Sequence, residues 1–248
     1  MGTLILALDF GGTKLSAAIA NKGDMVWQDH QRAFSAPHAN AQQDLQIMLS
    51  LAHAMLAGEK PAAVGVSFGG PVDFTTGTVR LSHHVPGWEN FPLKTILETA
   101  FGAPVWVDND ANVAALGEHR FGAGRGYSAI CYLTVSTGVG GGWILNSQPW
   151  RGAGGMAGEI GHMTVDPKGP LCLCGKRGCV ERLASGPYMA ADARAALHPP
   201  TAERTPGGEA LLSLANGDPA QITAQLIAAA AARGNEFALT FLKRSAWA

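Results

Sequence analysis

Three cysteines and one histidine stand in the sequence at the spacing of metal ligands. Cys172, Cys174 and Cys179 form the pattern C-x-C-G-x-x-G-C, and His162 lies ten residues before it. Thiolate and imidazole groups suit Zn²⁺, and three cysteines with one histidine are a common closed tetrahedral set. The alternatives are three buried free thiols or a redox pair. We predict a structural zinc that fixes the loop 158–182 and leaves catalysis to other groups, because four protein ligands leave no position for water.

Two glutamates flank these predicted ligands. Glu159 stands three residues before His162, and Glu181 stands two residues after Cys179. A metal that fixed the loop would also fix the positions of the two carboxylates relative to each other. This arrangement predicts a binding site built on the loop. The fourth cysteine, Cys131, lies in an apolar strand pattern and is expected to belong to the core.

A glycine-rich turn near the start of the chain has the residue types of an anion site. It contains Asp9, Gly11, Gly12, Thr13 and Lys14. Glycines let backbone N–H groups approach an anion closely, the Thr13 hydroxyl adds a donor, and Asp9 could hold a metal ion or its water. The alternative is an ordinary hairpin whose glycines supply positive φ angles.

A second glycine-rich turn lies in the other half of the chain. It contains Thr137, Gly138, Gly140, Gly141 and Gly142, which is more glycine than a hairpin needs. Two such turns, one in each half of a duplicated α/β chain, predict a nucleotide held between two lobes.

A carboxylate at the end of an apolar strand is the candidate catalytic group. The segment VWVDND (105–110) delivers Asn109 and Asp110 to the carboxyl end of a sheet, where ligands bind in open α/β folds. Asp110 could accept a proton from a hydroxyl nucleophile. Asp110 could instead be only the N-cap of the next helix. Asp108 competes with Asp110 for the role of proton acceptor.

The elements that must position these groups alternate between strand and helix patterns. Strands are predicted at 3–9, 15–20, 24–34, 62–68 and 104–110, and helices at 41–57, 92–101 and 111–120. A strand at 128–136 and a turn at 137–142 then repeat the architecture of the first part. The region 151–187 is irregular and the rest is helical, with a loop at 199–208 and helices at 222–234 and 235–248. The pattern predicts two α/β lobes, 1–120 and 121–248.

Composition restricts the class of protein. Hydrophobic residues make up 47% of the 248 residues and charged residues 15%, which argues against disorder. The net charge of −1 supplies no basic excess for nucleic-acid binding. No apolar run reaches the length of about 20 residues that spans a bilayer, and the N-terminus has no signal-peptide pattern. We therefore expect a cytoplasmic protein that binds neither nucleic acid nor membrane.

The motifs together resemble the signature set of ROK-family sugar kinases. They are DFGGTK (9–14), SFGGPVD (67–73), DNDAN (108–112), STGVGGG (136–142), GEIGH (158–162) and CLCGKRGCVE (172–181). They follow the order and roughly the spacing of the family over about residues 4–186, and the last two together are the most specific. The resemblance implies the actin-like ATPase (ribonuclease H-like) fold, whose duplicated lobes close over ATP and sugar.

The resemblance also assigns roles to individual residues. Asp9 to Lys14 and Thr137 to Gly142 match the two ATP-phosphate loops, and Asp110 matches the general base that activates the 6-hydroxyl of the sugar. Asn109, Glu159, His162 and Glu181 match groups that bind sugar hydroxyls, and Gly70 matches a backbone contact to the sugar. His162, Cys172, Cys174 and Cys179 match the zinc ligands, so that His162 would serve both the metal and the sugar.

The implied function is an ATP-dependent hexokinase that uses Mg²⁺ and phosphorylates the 6-hydroxyl of a hexose, with glucose as the first choice. An N-acetylmannosamine or N-acetylglucosamine kinase has the same motifs, and fructose and allose kinases rank lower. A non-enzymatic, sugar-binding ROK regulator is the alternative from another class, although the first hairpin begins too early for the N-terminal helix-turn-helix of such regulators. Many ROK enzymes are oligomers, which favours a homodimer.

Two features depart from the family pattern. His84 stands where most relatives have asparagine, in a stretch expected to lie near the substrate. The chain also stops inside a helical pattern without a C-cap, whereas the family continues with a further strand, an adenosine contact and a closing helix. We therefore expect the gene to continue for roughly another 40–60 residues, and the 248-residue chain alone to be less soluble and to bind ATP more weakly.

Overall fold

The computed structural model describes residues 3–82, 85–197 and 205–248. His84 and the first part of the predicted loop 199–208 therefore lie outside the described residues. The strands are β1 (Leu4–Phe10), β2 (Lys14–Asn21), β3 (Asp29–Phe34), β4 (Ala63–Phe68), β5 (Val72–Asp73), β6 (Thr78–Val79), β7 (Val105–Asn109), β8 (Ile130–Val135), β9 (Val139–Leu145) and β10 (Gln148–Trp150). The helices are α1 (Ala41–Leu56), α2 (Leu93–Phe101), α3 (Asp110–Phe121), α4 (Val180–Ala184), α5 (Gly186–Leu197), α6 (Pro206–Leu214), α7 (Ala224–Ala232) and α8 (Glu236–Trp247).

The first part of the chain forms a five-stranded sheet in the order β3-β2-β1-β4-β7. β2 is antiparallel to β1 and β3, while β1, β4 and β7 are parallel to one another. In the register, Asp9 is paired with Ser67, and Ser67 with Asp108, so these polar residues form one row near the carboxyl ends of the parallel strands. The predicted strands are present, but the third begins at Asp29 rather than at residue 24.

The core of this sheet is covered by α1 and α2. Buried side chains from β1, β4 and β7 pack with those of both helices, and Leu6, Met48, Val64, Leu93 and Leu97 are among the fully buried ones. α1 begins with a capping box, in which Asn40 accepts from the Gln43 backbone and Gln43 accepts from the Asn40 backbone. The helix predicted at 41–57 is present, and its apolar side chains Leu45 and Met48 are buried.

The second glycine-rich segment corrects the prediction of a long turn at 137–142. The turn is short, since the Ser136 N–H already donates to the Gly138 carbonyl, 2.8 Å away, and β9 begins at Val139. Two of the glycines lie inside the strand for reasons of packing: a Cβ on Gly141 would collide with Ile160, and one on Gly142 would lie 2.5 Å from the Ala111 carbonyl oxygen.

The helices α5 to α8 form a second core. It is made of apolar side chains of α5, α6, α7 and α8, such as Leu197, Leu211, Ile227 and Phe241. α6, α7 and α8 each begin with a side-chain cap, from Thr205, Thr223 and Asn235 respectively, and the predicted helices at 222–234 and 235–248 are present. Among the described residues, no helix is both long and apolar enough to cross a membrane.

Cys131 is exposed rather than buried, which makes its expected place in the core wrong. It lies in β8, an edge strand of the three-stranded sheet β10-β9-β8, where successive side chains point to opposite faces of the sheet and one of these faces is exposed. The same alternation leaves Leu133 and Val135 exposed, so the apolar strand pattern does not mark a strand that is buried on both faces.

The chain divides into two compact units. The first runs to Ile130 and includes Gly142–Ala157, and the second consists of Cys131–Gly141 and Gly158–Ala248. These bounds differ from those of the predicted lobes, 1–120 and 121–248, because the chain returns to the first unit at Gly142, inside β9, and stays there to Ala157. The division into two functional lobes stays a prediction.

Candidate active site

The first glycine-rich turn offers free backbone donors next to a carboxylate. The Gly11 N–H donates to the Lys14 carbonyl, 3.0 Å away, and a Cβ on Gly11 would lie 2.9 Å from that oxygen. The N–H groups of Gly12 and Thr13 have no partner within the described part of the chain. At the end of β1, Asp9 Oδ1 accepts from the Ser67 hydroxyl at 2.7 Å. The turn therefore has both donors for an anion and an oxygen cluster for a cation.

Asp110 lies at the junction of β7 and α3 with one oxygen held and one open. Oδ1 accepts from the Ala111 N–H at 2.8 Å and from the Asn109 side-chain amide at 2.9 Å. Oδ2 makes no hydrogen bond to a described residue and faces Gly69, where a Cβ would lie 3.8 Å from it. The carboxylate is thus fixed in orientation and retains one oxygen that can accept a proton.

The environment of Asp110 favours its protonated form. Although the residue reaches the surface, the protein around its carboxyl group desolvates it, and this raises the pKa of Asp110 above the ordinary value for aspartate. Hydrogen bonds from Ala111 and Asn109 work in the opposite direction, while the negative charge of Asp9 raises the pKa further. A general base with a raised pKa binds the transferred proton more strongly.

Asn109, and not Asp110, is the N-cap of α3. Its Oδ1 accepts from the backbone N–H groups of Ala111 and Asn112, and its Nδ2 donates to the Gly70 carbonyl at 3.2 Å and to Asp110. All four hydrogen-bonding positions of the amide are therefore in use. Asn109 would have to release one of them to bind a sugar hydroxyl, and its predicted sugar contact stays a prediction.

Asp108 does not compete with Asp110 for the role of base. It is buried, and Arg151 donates twice to its Oδ2, from Nε at 2.9 Å and from a terminal nitrogen at 2.6 Å. Its Oδ1 accepts from the Asn109 backbone and from the Asn112 side chain. The guanidinium of Arg151 also lies over the Phe74 ring, 3.5 Å from its centroid. Asp108 is a structural anchor with both oxygens occupied.

The raised pKa of Asp110 gives a testable pH dependence. If Asp110 is the base, activity falls as the pH drops through its pKa, because the protonated carboxyl cannot accept a proton. Asp9→Asn removes a negative charge that raises this pKa, so the acidic limb of kcat/KM should move to lower pH. The midpoint of the limb is the readout, since the overall rate also falls. Asp24→Asn, with the same change of charge in an exposed loop, should leave the midpoint in place.

An acidic limb that stays in place in Asp9→Asn, or that moves to higher pH, would contradict the assignment of that limb to Asp110.

The second glycine-rich turn lies beside a cavity in the second unit. The N–H groups of Thr137 and Gly138 have no partner among the described residues, and the Ser136 carbonyl accepts from the Gly186 N–H, which begins α5. The positive end of the α5 dipole is therefore near the turn. The cavity has a volume of about 690 Å³ and is lined by this turn and by residues of α5, α7 and α8, including Met189, Arg194, Ala228 and Leu242.

The four predicted metal ligands come together in the second unit. The ligand atoms of His162, Cys172, Cys174 and Cys179 all lie within 4.8 Å of one another. Cys172 Sγ is 3.9 Å from His162 Nδ1, and Cys174 Sγ is 3.6 Å from Cys179 Sγ. With Zn–S bonds of about 2.3 Å and a Zn–N bond of about 2.0 Å, the S–S edge of a tetrahedron is about 3.8 Å and the S–N edge about 3.5 Å. The S–S separation therefore fits a tetrahedral zinc, and the S–N separation is longer than its edge by only a few tenths of an ångström.

The loop that carries these ligands needs its glycines and a tyrosine. Gly178 has a φ of +57°, and a Cβ there would collide with the Asp166 carbonyl, which accepts from the Gly169 N–H. The Tyr188 hydroxyl accepts from the Leu173 N–H at 3.2 Å, and thus holds the Cys-x-Cys segment from the side of α5. The fold brings the cluster together from residues that are 17 positions apart.

Two predicted sugar ligands lie next to the cluster. Glu159 directly precedes the 3₁₀ turn Ile160–His162, and its carbonyl accepts from the His162 N–H at 3.1 Å. Because Nδ1 of His162 faces the cysteines, Nε2 is left for another partner. Glu181, in the first turn of α4, accepts from the Val139 N–H through Oε2 at 3.0 Å.

The sequence profile of the ROK family matches residues 5–248. The chain belongs to the ROK family. It is 34% identical to a glucokinase of Streptomyces coelicolor over 247 residues, 99% of this chain and 75% of that protein. It is 38% identical to an N-acetylmannosamine kinase of Salmonella newport over 189 residues, 76% of this chain and 64% of that protein.

The structure of this ROK protein also matches solved structures. The crystal structure of a ROK family glucokinase from Streptomyces griseus in complex with glucose and AMPPNP aligns with a TM-score of 0.78 and 35% identity, over 98% of this chain and 75% of that one. The resemblance found in the sequence and the predicted α/β fold, matching actin-like ATPase structures, are thereby confirmed.

Sequence reasoning missed several positioning residues of this ROK protein. Arg151, Ser67 and Tyr188 each hold a predicted site residue, its neighbour or its segment. Arg151 and Tyr188 lie outside the motifs, and Ser67 begins the motif SFGGPVD (67–73), which by itself predicts no role for this residue. Their partners are between 15 and 58 positions away in the chain. The signal that could have found Arg151 is indirect: a buried aspartate requires a cation or several donors.

Proposed function

We propose that this ROK protein is an ATP-dependent hexose kinase that phosphorylates the 6-hydroxyl of its sugar, with glucose as the first substrate to test. Support comes from the glucokinase relatives at 34–36% identity and from the glucokinase structure that holds glucose and AMPPNP. The observation in this chain that carries the proposal is Asp110, whose Oδ1 is held by two donors while Oδ2 is open.

Asp110 would act as the general base. Its Oδ2 accepts the proton of the 6-hydroxyl as the hydroxyl oxygen attacks the γ-phosphorus of ATP. The bond between the γ-phosphorus and the bridging oxygen breaks, ADP leaves, and the proton stays on the carboxyl until it is released to solvent. Asn109 holds Oδ1, so the open oxygen keeps a single orientation toward the substrate.

Backbone donors would hold the nucleotide. The free N–H groups of Thr137 and Gly138 and the N-terminus of α5 provide positive potential for phosphate oxygens, and the adjacent cavity of about 690 Å³ would accept the nucleoside. The turn from Gly11 to Lys14 offers a second set of donors.

The carboxylate of Asp9, beside the Ser67 hydroxyl, suits Mg²⁺, which prefers such oxygen ligands. Mg²⁺ would neutralise charge on the phosphates.

The cluster of one histidine and three cysteines would hold a structural zinc. The donor set and the distances between the ligand atoms suit a closed tetrahedral site. Bound there, zinc would stabilise the loop 158–182 and fix the ring of His162. Glu159, His162 Nε2 and Glu181 are proposed to bind sugar hydroxyls, with Gly70 as a backbone contact.

The test is a coupled assay of ADP release with purified protein and a panel of hexoses that includes glucose, N-acetylmannosamine, N-acetylglucosamine, fructose and allose. We expect glucose to give the highest kcat/KM. Preference for N-acetylmannosamine would select the second candidate, which the 38% identical kinase from Salmonella favours. Sugar binding without ADP release would indicate a regulator.

Removal of one metal ligand should affect both stability and sugar affinity. Cys174→Ser is expected to lose the bound zinc, to lower the melting temperature and to raise the KM for sugar, because ligands and sugar-binding groups share one loop. Metal content measured by atomic emission, together with thermal unfolding and kinetics, checks this. Cys131→Ser is the matched control, since this exposed thiol lies outside the cluster. A zinc-free preparation with full activity would show that the loop does not need the metal.

A further inference from the structure

Glu181 joins the metal-binding loop to the second glycine-rich turn. Its Oε2 accepts from the N–H of Val139, at 3.0 Å, and Val139 directly follows the turn. A Cβ on Gly138 would lie 2.6 Å from the same oxygen, so only glycine allows the carboxylate to approach so closely. Glycine is therefore required at position 138 for two reasons: the carboxylate of Glu181 lies too close for a side chain, and a phosphate needs access to the backbone N–H groups.

The other carboxylate oxygen of Glu181 is available. Oε1 takes part in no hydrogen bond with the described residues, and the side chain is half-buried. A carboxylate can accept hydrogen bonds at both oxygens at once. Glu181 can therefore keep the Val139 N–H on Oε2 and take a hydroxyl group on Oε1.

The position of Glu181 in the chain restricts its movement. It lies two residues after Cys179, which is fully buried in the cysteine cluster, and its own backbone belongs to α4. The preceding residue, Val180, donates its N–H to the Met163 carbonyl at 3.0 Å. A displacement of the carboxylate is therefore transmitted to the turn through Val139 rather than absorbed by a flexible backbone.

We propose that Glu181 couples sugar binding to nucleotide binding, through a sugar hydroxyl on Oε1 and the Val139 N–H on Oε2. This inference rests on the proposed function. A hydroxyl on Oε1 fixes the carboxylate, and the fixed carboxylate holds the turn with the N–H groups of Thr137 and Gly138 directed to the phosphates. A hydrogen bond from the sugar hydroxyl also stabilises the negative charge of Glu181, and this weakens the repulsion between the carboxylate and phosphate groups bound at the turn. Sugar should therefore tighten nucleotide binding, and by reciprocity nucleotide should tighten sugar binding.

The experiment measures the dissociation constant of ADP by calorimetry, with and without saturating glucose, in the full chain and in Glu181→Gln. The amide keeps the size of the side chain but has only one acceptor oxygen, so the hydroxyl and Val139 must compete for it. We expect glucose to tighten ADP binding at least about fivefold in the unmodified protein and less than about twofold in Glu181→Gln. Glu209→Gln, an exposed glutamate in the first turn of α6, carries the same change of charge and should keep the full effect.

Zinc content is measured in each variant, so that a coupling lost together with the metal is recognised as a structural effect and counts against the proposal. An equal glucose effect in Glu181→Gln, or no effect in the unmodified protein, would overturn it. The proposed function is tested separately: it fails if ADP binds but no hexose is phosphorylated in the ADP-release assay. A change of ADP affinity in Glu181→Gln without sugar would then still support the link to the turn, and an unchanged affinity would refute it.

Discussion

Asp110→Asn is expected to lower kcat for hexose phosphorylation by at least about 100-fold, in the range that general-base catalysis supplies. The amide is nearly isosteric and can still accept from the Ala111 N–H and from Asn109, so the geometry of the β7–α3 junction should persist. It cannot take up a proton at neutral pH. Sugar affinity, measured by calorimetry, should stay within about tenfold of the original value, because the loss concerns the transition state more than binding.

The matched control for this substitution is Asp218→Asn. Asp218 also accepts a backbone N–H, from Ala220 at 2.8 Å, but it lies in an exposed turn of the second unit. Its variant should keep full activity. Turnover above a few per cent in Asp110→Asn would remove Asp110 from the role of base.

Asp110→Asn should also leave the protein at least as stable at neutral pH. Desolvation raises the pKa of this carboxyl group, so the fold disfavours its ionised form, and the substitution removes that form.

Arg151→Met is expected to lower the free energy of unfolding substantially, with the loss of about 3–5 kcal/mol known for fully buried ion pairs as its upper bound, because the arginine side chain is 21% exposed. Asp108 is buried, and its Oδ2 depends on two hydrogen bonds from Arg151. Methionine can still pack against Phe74, but it removes the guanidinium that lies over the Phe74 ring and leaves the carboxylate without a cation. Urea unfolding followed by circular dichroism measures the change.

Two further variants separate loss of the pair from loss of packing. Arg151→Met combined with Asp108→Asn removes the uncompensated charge and should recover part of the stability. Arg80→Met breaks the ion pair with Asp73, which has the same length of 2.6 Å but an arginine side chain that is 56% exposed, and should cost less than about 1 kcal/mol. A loss as small as that of Arg80→Met would show that Asp108 is adequately stabilised by its other donors.

The fold could be predicted from the sequence where local pattern and tertiary packing agree. The patterns of β1, α1 and β7 predict these elements to within one residue of their observed bounds, and most of their apolar side chains are buried, with Trp106 in β7 as an exposed exception. The second glycine-rich segment was misjudged, because glycine serves two purposes: Gly138 allows a turn, while Gly141 and Gly142 lie in a strand and allow close packing. Sequence alone does not distinguish the two uses.

The candidate site was predictable in its residue types but less so in its connections. The spacing of His162 and the three cysteines was sufficient to predict a cluster, because the ligands belong to one loop. The alternative role predicted for Asp110, the N-cap of α3, belongs to Asn109 instead, because both side chains are suited to that position and only the backbone angles decide. The partners Arg151–Asp108 and Glu181–Val139 are 43 and 42 positions apart, beyond the range of any local pattern.

The interleaving of the two units has a consequence for experiments that divide the protein. The chain passes from one unit to the other after Ile130, after Gly141 and after Ala157, so neither unit is a continuous stretch of the gene. A fragment that ends at Ile130 retains the buried Asp108 but lacks Arg151, and it should be unstable for that reason. Co-expression of 1–157 with 158–248 divides the chain at a single crossing and keeps that ion pair within one piece. This connectivity therefore permits the protein to be divided into these two pieces and reassembled from them.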